Sequence, residues 1–302
     1  EICACLVGSE MCIRDRDCQN LNIWTPSIRD GRKRPVMVWL HGGGFSAGSS
    51  IEQLAYDGEN LSRAGDVVVV SVNHRLNVLG YLDLSPFGEK YQDSANAGNL
   101  DLIAALEWIR DNIEGFGGDP ENVTLFGQSG GGVKVWSLLQ MPEADGLFHK
   151  GIIESGVVDP DLLGDTEDGN GREIVKAMLV ELGLEEKDVD QLETLPYDQL
   201  AQAYENAAPK VAQKGEYVGN HPHKNQSYFG DAIKHGFREE TKKIPLLIGT
   251  VLGEFDFGPA ISGKYEFTKK EVEEKVSDAL GEEGIDLIDD CLLYTSDAAD
   301  DK

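Results

Sequence analysis

Two stretches of this sequence have the residue types and spacing for nucleophilic chemistry. Gly127-Gln128-Ser129-Gly130-Gly131 sets a serine among glycines, directly after a short apolar run at 123–126. The G-x-S-x-G spacing has a mechanical reason. The serine occupies a sharp, strained turn from strand to helix, and small residues two before and two after let the two backbones pass closely. Its hydroxyl then stands at the carboxyl end of a sheet. The second stretch is His41-Gly42-Gly43-Gly44-Phe45. A serine attacking an ester carbonyl creates an oxyanion, which needs N–H donors aimed in advance in a dry pocket. Glycines let successive amides point at one spot, and the amide of Gly130 would join them. A plain flexible loop is the competing reading of the triple glycine, and its pairing with the serine turn weighs against that.

Such residues need a scaffold, and the hydrophobic pattern supplies one. "PVMVWL" at 35–40 reads as a buried strand feeding the glycine loop, and "DVVVVSVN" at 66–73 as a central parallel strand covered on both faces. Leu102, Leu106, Ile109 and Ile113 fall at helical spacing. Gly117, Gly118 and Pro120 turn the chain into a strand at 123–126, helix resumes after Ser129, and "GIIES" at 151–155 is one more strand. Strands alternating with helices predict an α/β fold with a mostly parallel central sheet and flanking helices. From about 160 the character changes. Ile174, Met178 and Leu182, then Val189, Leu192 and Leu195, suggest short helices in an acidic, loop-rich insertion that caps the sheet. "KIPLLIGT" at 243–250 returns to core strand, and Thr268 with Glu271 forms a capping-box signal for a helix carrying Val272 and Val276 on one face. No internal repeat appears.

Composition bounds the partners. At 302 residues and 40% hydrophobic, the chain can bury a sizeable core. Its formal net charge of -27 is scattered along the chain, which argues against nucleic acid or an anionic membrane as partner. No apolar run approaches a membrane span, and the first residues lack the layout of a signal peptide. A cytoplasmic location is the resulting expectation. Four of the five cysteines lie in the two ends, and Cys18 alone offers no disulfide framework. His221 and His223 form an H-x-H without a third ligand pattern, so neither a metal nor an organic cofactor is expected.

The ends resemble translated sequencing-library adapter. Codons TGT CTC TTA TAC ACA TCT for Cys291 through Ser296 have a complementary strand whose whole codons spell Met11, Cys12, Ile13, Arg14 and Asp15. One DNA segment in inverted orientation would thus encode both tails; ordinary disordered termini are the competing reading. The expected organisation is an adapter-derived segment at 1–16, the first part of the core with the nucleophile turn at 17–159, and a helical cap at 160–242. A return to core at 243–290 and a second adapter-derived segment at 291–302 complete it. The natural portion would then be a fragment, incomplete at both ends.

Several motifs in order resemble the type-B carboxylesterases, a family that includes para-nitrobenzyl esterases, animal carboxylesterases and cholinesterases. They are "DCQNLNIWTP" from Asp17, "HGGGFSAGS" from His41, "VNHRLNVLGYL" from Val72, "NAGNLD" from Asn96, "ALEWIRDNIEGFGGDPENVTLFGQSGGG" from Ala105 and "GLFHKGIIESG" from Gly146. The likeness returns at "IPLLIGTVLGEF" from Ile244. The resemblance implies an α/β-hydrolase fold and hydrolysis of a small-molecule carboxylic ester through an acyl-enzyme. It matches Ser129 to the nucleophile, Gly43, Gly44 and Gly130 to the oxyanion amides, and Glu254 to the triad acid. Ser155 resembles a family serine that hydrogen-bonds behind the triad; a satisfied strand-end serine reads equally well. Phe255 replaces the usual glycine after the acid, Gly130 stands where alanine is commoner, Gln128 replaces the usual glutamate, and His74 replaces a usual tyrosine.

The family's triad runs serine, acid, histidine along the chain, with histidine as general base. All six histidines, His41, His74, His149, His221, His223 and His235, precede Glu254. His41 belongs to the glycine loop, His74 reads as structural, His149 as a surface turn, and His221 and His223 as loop polarity. The base is therefore expected from beyond Asp290, and the chain by itself is expected to be inactive. Two other readings compete. One is a non-catalytic recognition or adhesion domain of the same family. The other is an esterase of the hormone-sensitive-lipase group, which uses an aspartate acid and is disfavoured by the long "FGGDPENVTLFG" match.

Overall fold

The computed structural model describes residues 18–28, 30–157, 169–219 and 221–251, with Glu254, Thr268 and Lys270. Six strands are formed: β1 (Asn20–Trp24), β2 (Arg34–Leu40), β3 (Val68–Asn73), β4 (Gly118–Gln128), β5 (Lys150–Glu154) and β6 (Leu246–Gly249). They lie in one sheet in the order β1-β3-β2-β4-β5-β6. β1 runs antiparallel to β3, and every other pairing is parallel. The parallel strands end at one edge, so the residues that follow β2, β4 and β5 emerge together: His41, Ser129 and Ser155.

The strand residues explain the sheet. β3 is buried at every position, as a β-branched run covered on both faces must be. The helices are α1 (Glu59–Gly65), α2 (Asn77–Tyr81), α3 (Ala97–Asn112), α4 (Gly130–Leu138), α5 (Arg172–Glu181), α6 (Tyr197–Ala212) and α7 (Ala232–His235). α3 turns Leu102, Leu106 and Ile109 onto the sheet, with Ile113 just beyond its end, as their spacing predicts. There they pack with Val36, Val38, Leu40, Val68, Val70 and Leu125 in the main core.

A second apolar cluster lies in the region read as a cap. Ile174 and Met178 of α5 meet Leu200, Ala203 and Ala207 of α6, with Val189 and Leu192 from a 3-10 segment between them. Val78 of α2, Leu82 just after it and Tyr91 of a 3-10 turn complete that cluster.

The strand predicted at 243–250 forms as β6, and Ile244 and Leu246 pack against the main core. β6 pairs with β5 and is the outer strand of the described sheet, and Leu247 and Ile248 are 65% and 46% exposed. An apolar run signals a strand; it does not say how many neighbours that strand has. The capping box at Thr268 and Glu271 lies outside the described residues in its second member. Among the described residues no helix is long and apolar enough to cross a membrane.

Candidate active site

Ser129 sits between β4 and α4 with φ 55° and ψ -126°, a backbone region that a non-glycine residue occupies only under strain. The surroundings hold it there. Its N–H donates to the Glu154 carbonyl at 2.8 Å, and its own carbonyl accepts from Val133 N at 3.0 Å, so the turn is tied to β5 on one side and to α4 on the other. The glycines have steric reasons. A Cβ on Gly127 would stand 2.5 Å from the Gly131 carbonyl carbon, and one on Gly131 would stand 2.0 Å from the Leu40 oxygen. No side chain larger than hydrogen fits either position with the backbones where they are. Ser129 itself is exposed, so the strain presents a hydroxyl at the sheet's carboxyl edge.

The glycine loop lies against that turn. A Cβ on Gly42 would be 3.7 Å from the Ser129 Cβ. Gly43 and Gly44 take φ 89° and 60°, and the Gly43 carbonyl accepts from Ser46 and Ala47, which folds the loop back on itself. A Cβ on Gly130 would reach the Gly44 nitrogen at 2.2 Å. The glycine that replaces the commoner alanine is what lets the loop backbone touch the start of α4.

Beneath the loop is a buried polar cluster. The His41 ring is 1% exposed and its Nδ1 is 2.8 Å from the Gly42 carbonyl. A carbonyl only accepts, so Nδ1 carries the proton. His74 makes the same contact with the Arg75 carbonyl at 2.9 Å, and the two rings stack with centroids 5.3 Å apart. Burial, followed by the nearby Lys134, pushes His41 down to about 3, and the same two causes hold His74 well below its ordinary range. Both imidazoles are therefore neutral and structural. Lys134, on α4, is wholly buried and donates from Nζ to the His41 carbonyl at 2.8 Å. Sequence reasoning missed this lysine. The available signal was a cation set among glycines, valines and tryptophan one turn after the serine.

The remaining predicted residues are placed as follows. Ser155 follows β5, half-buried with φ 50°, and its N–H donates to the Gly249 carbonyl at 2.7 Å. Glu254 is an exposed turn residue of a separate unit that begins at Leu252. His149 accepts from Val123 N at 3.1 Å, so it holds the turn into β5. His221 and His223 pack against the ring of Tyr217. Among the described residues, no histidine hydrogen-bonds the Ser129 hydroxyl, and no group of three or more His, Cys, Asp or Glu side chains is arranged to hold a metal.

The sequence model of the carboxylesterase family matches residues 7–288. The para-nitrobenzyl esterase of Bacillus subtilis (strain 168) is 39% identical over 259 residues, which are 82% of this chain and 49% of that protein. A Clostridium hathewayi esterase described as hydrolysing aliphatic aromatic polyesters superposes with a TM-score of 0.79 at 55% identity, covering 87% of this chain and 52% of its own. A solved para-nitrobenzyl esterase gives a TM-score of 0.68 at 35% identity, over 90% of this chain and 57% of its own. The chain spans about half the length of these relatives. With such neighbours the parallel sheet and its flanking helices are those of the α/β-hydrolase fold, and the chain belongs to the carboxylesterase family.

Proposed function

We propose that the whole protein is a serine carboxylic-ester hydrolase working through an acyl-enzyme. The observation that carries this reading is the contact between the strained, exposed Ser129 and a glycine loop whose backbone reaches Gly130. Ser129 Oγ attacks the ester carbonyl carbon while a histidine from outside this chain takes its proton. The carbonyl oxygen becomes an oxyanion held by the amides of Gly43, Gly44 and Gly130. Collapse expels the alcohol, which receives the proton from the histidinium. Water then attacks the acyl carbon as the same histidine takes its proton, and the histidinium returns that proton to Ser129 Oγ as the bond to the serine breaks and the carboxylic acid leaves. By the family resemblance Glu254 is the acid that orients the histidine, and Ser155 matches a serine that hydrogen-bonds behind the triad.

The test is hydrolysis of p-nitrophenyl acetate by the full-length protein and its Ser129→Ala variant. Turnover abolished by the substitution supports the reading, and turnover that survives it overturns it. The polyester-hydrolysing relative makes an aliphatic aromatic polyester film the second substrate to try.

A further inference from the structure

The mechanism above makes no use of Lys134, although it is wholly buried and one turn beyond the nucleophile. We propose that Lys134 is a positioning residue for the reaction, its amine holding the His41 carbonyl so that the glycine loop keeps its donors aimed at the oxyanion. The inference rests on the ester-hydrolase reading of Ser129.

The geometry argues for a dedicated role. Burying an amine costs free energy unless the arrangement returns it, and among the described residues Lys134 makes no ion pair, only a longer-range attraction to Glu52. Its one hydrogen-bond acceptor among the described residues is the His41 carbonyl, at the peptide that opens the loop. The loop needs such a tether. Gly43 and Gly44 both adopt positive φ, and the glycine at 130 removes the side chain that would otherwise limit the loop's position. The same peptide region is fixed from below by His41, whose ring is stacked on His74 and closed over by Gly48. Lys134 thus links α4, which begins at the nucleophile, to the strand end from which the donors hang. Burial pushes its amine down to about 7, with Glu52 pulling the other way, and the neighbouring His41 and His74 are uncharged. Charged or neutral, the amine retains a proton to donate.

The experiment uses the full-length protein carrying Lys134→Met, which removes the donor while filling similar volume, and Lys134→Gln, which keeps a shorter donor. Rates are divided by active sites titrated with diethyl p-nitrophenyl phosphate, so unfolded protein does not enter. Oxyanion donors act in the transition state, and removing one costs roughly 10²–10³-fold in kcat. Misaiming them should cost less, about 10- to 100-fold for Lys134→Met, with KM within about twofold and Lys134→Gln in between. Affinity for a trifluoromethyl ketone, whose adduct bears the oxyanion, should fall in step with kcat. An unchanged kcat per titrated site, even with fewer sites or a lower Tm, overturns the proposal, as does a rise in KM alone. Ser129→Ala separates the two readings: if it retains turnover, the ester-hydrolase reading itself fails and this proposal falls with it.

Discussion

Gly131 lies so close beneath Leu40 that a Cβ on the glycine would stand 2.0 Å from the leucine's carbonyl oxygen. Helix α4 and strand β2 therefore touch backbone to backbone at the point where the nucleophile turn meets the glycine loop. Gly131→Ala should gain about 1 kcal/mol of helix propensity and lose about 3 kcal/mol or more to overpacking, because the obstructing atom is backbone. The expected outcome is a net loss of stability, checked by thermal unfolding of the full-length variant. A Tm equal to that of the parent would mean that helix and strand can separate freely.

Arg75 and Asp101 join two sequence motifs in space. Asp101, on α3, accepts from Arg75 Nε at 2.8 Å, from Nη2 at 2.7 Å and from the Arg75 backbone N–H at 2.9 Å. Side-chain exposure is only 10% for Asp101 and 33% for Arg75. Asp101→Asn loses the charge-assisted fork and should cost about 2 kcal/mol, after allowing for partial screening of the arginine. The shift in urea midpoint measures it.

The buried imidazoles give the fold an acid limit. The folded pKa of His41, about 3, is below the unfolded value near 6.5, and His74 moves the same way. Between those values the unfolded chain binds more protons than the folded one, so stability falls as pH drops from about 6.5 toward 3. His74→Tyr, the residue commoner in the family at this place, removes one of the two and should flatten the urea midpoint's dependence on pH over that window. A slope identical to the parent's would show that His74 does not contribute to the acid limit.

A polypeptide of only these 302 residues has no histidine hydrogen-bonded to Ser129 among its described residues. It should hydrolyse p-nitrophenyl acetate no faster than its own Ser129→Ala variant, since losing the base of a serine triad costs on the order of 10⁶-fold. Turnover that depends on Ser129 in this polypeptide would place a base within it.

Much of this arrangement was legible in the residues themselves. The β-branched run before Asn73, the helical spacing of Leu102, Leu106 and Ile109, and the glycines around Ser129 each obey a local rule, and local rules survive folding. Lys134 was hidden for the opposite reason. In a helix read by itself, a lysine between Val133 and Val135 belongs to a solvent face, yet α4 is buried nearly all round, packed on β2, β4 and β5 and covered at Trp136 by Phe237. The exposure of Leu247 was hidden too, since burial depends on which strands stand alongside and the run at 243–250 carries no record of them. For Gly130 the sequence showed the departure from alanine, but the proximity of Gly44 is a contact between residues far apart in the chain.

The hydrogen bond from Lys134 to the His41 carbonyl also bears on how this catalytic apparatus can be inherited or transplanted. A glycine loop that takes its aim from a helix many residues downstream is not a portable cassette. Grafting residues 41–45 into another esterase would carry the donors without their anchor, and recombination with a crossover between the loop and α4 would separate parts adapted to each other. The smallest exchangeable piece runs from His41 through Lys134 and brings His74 with it.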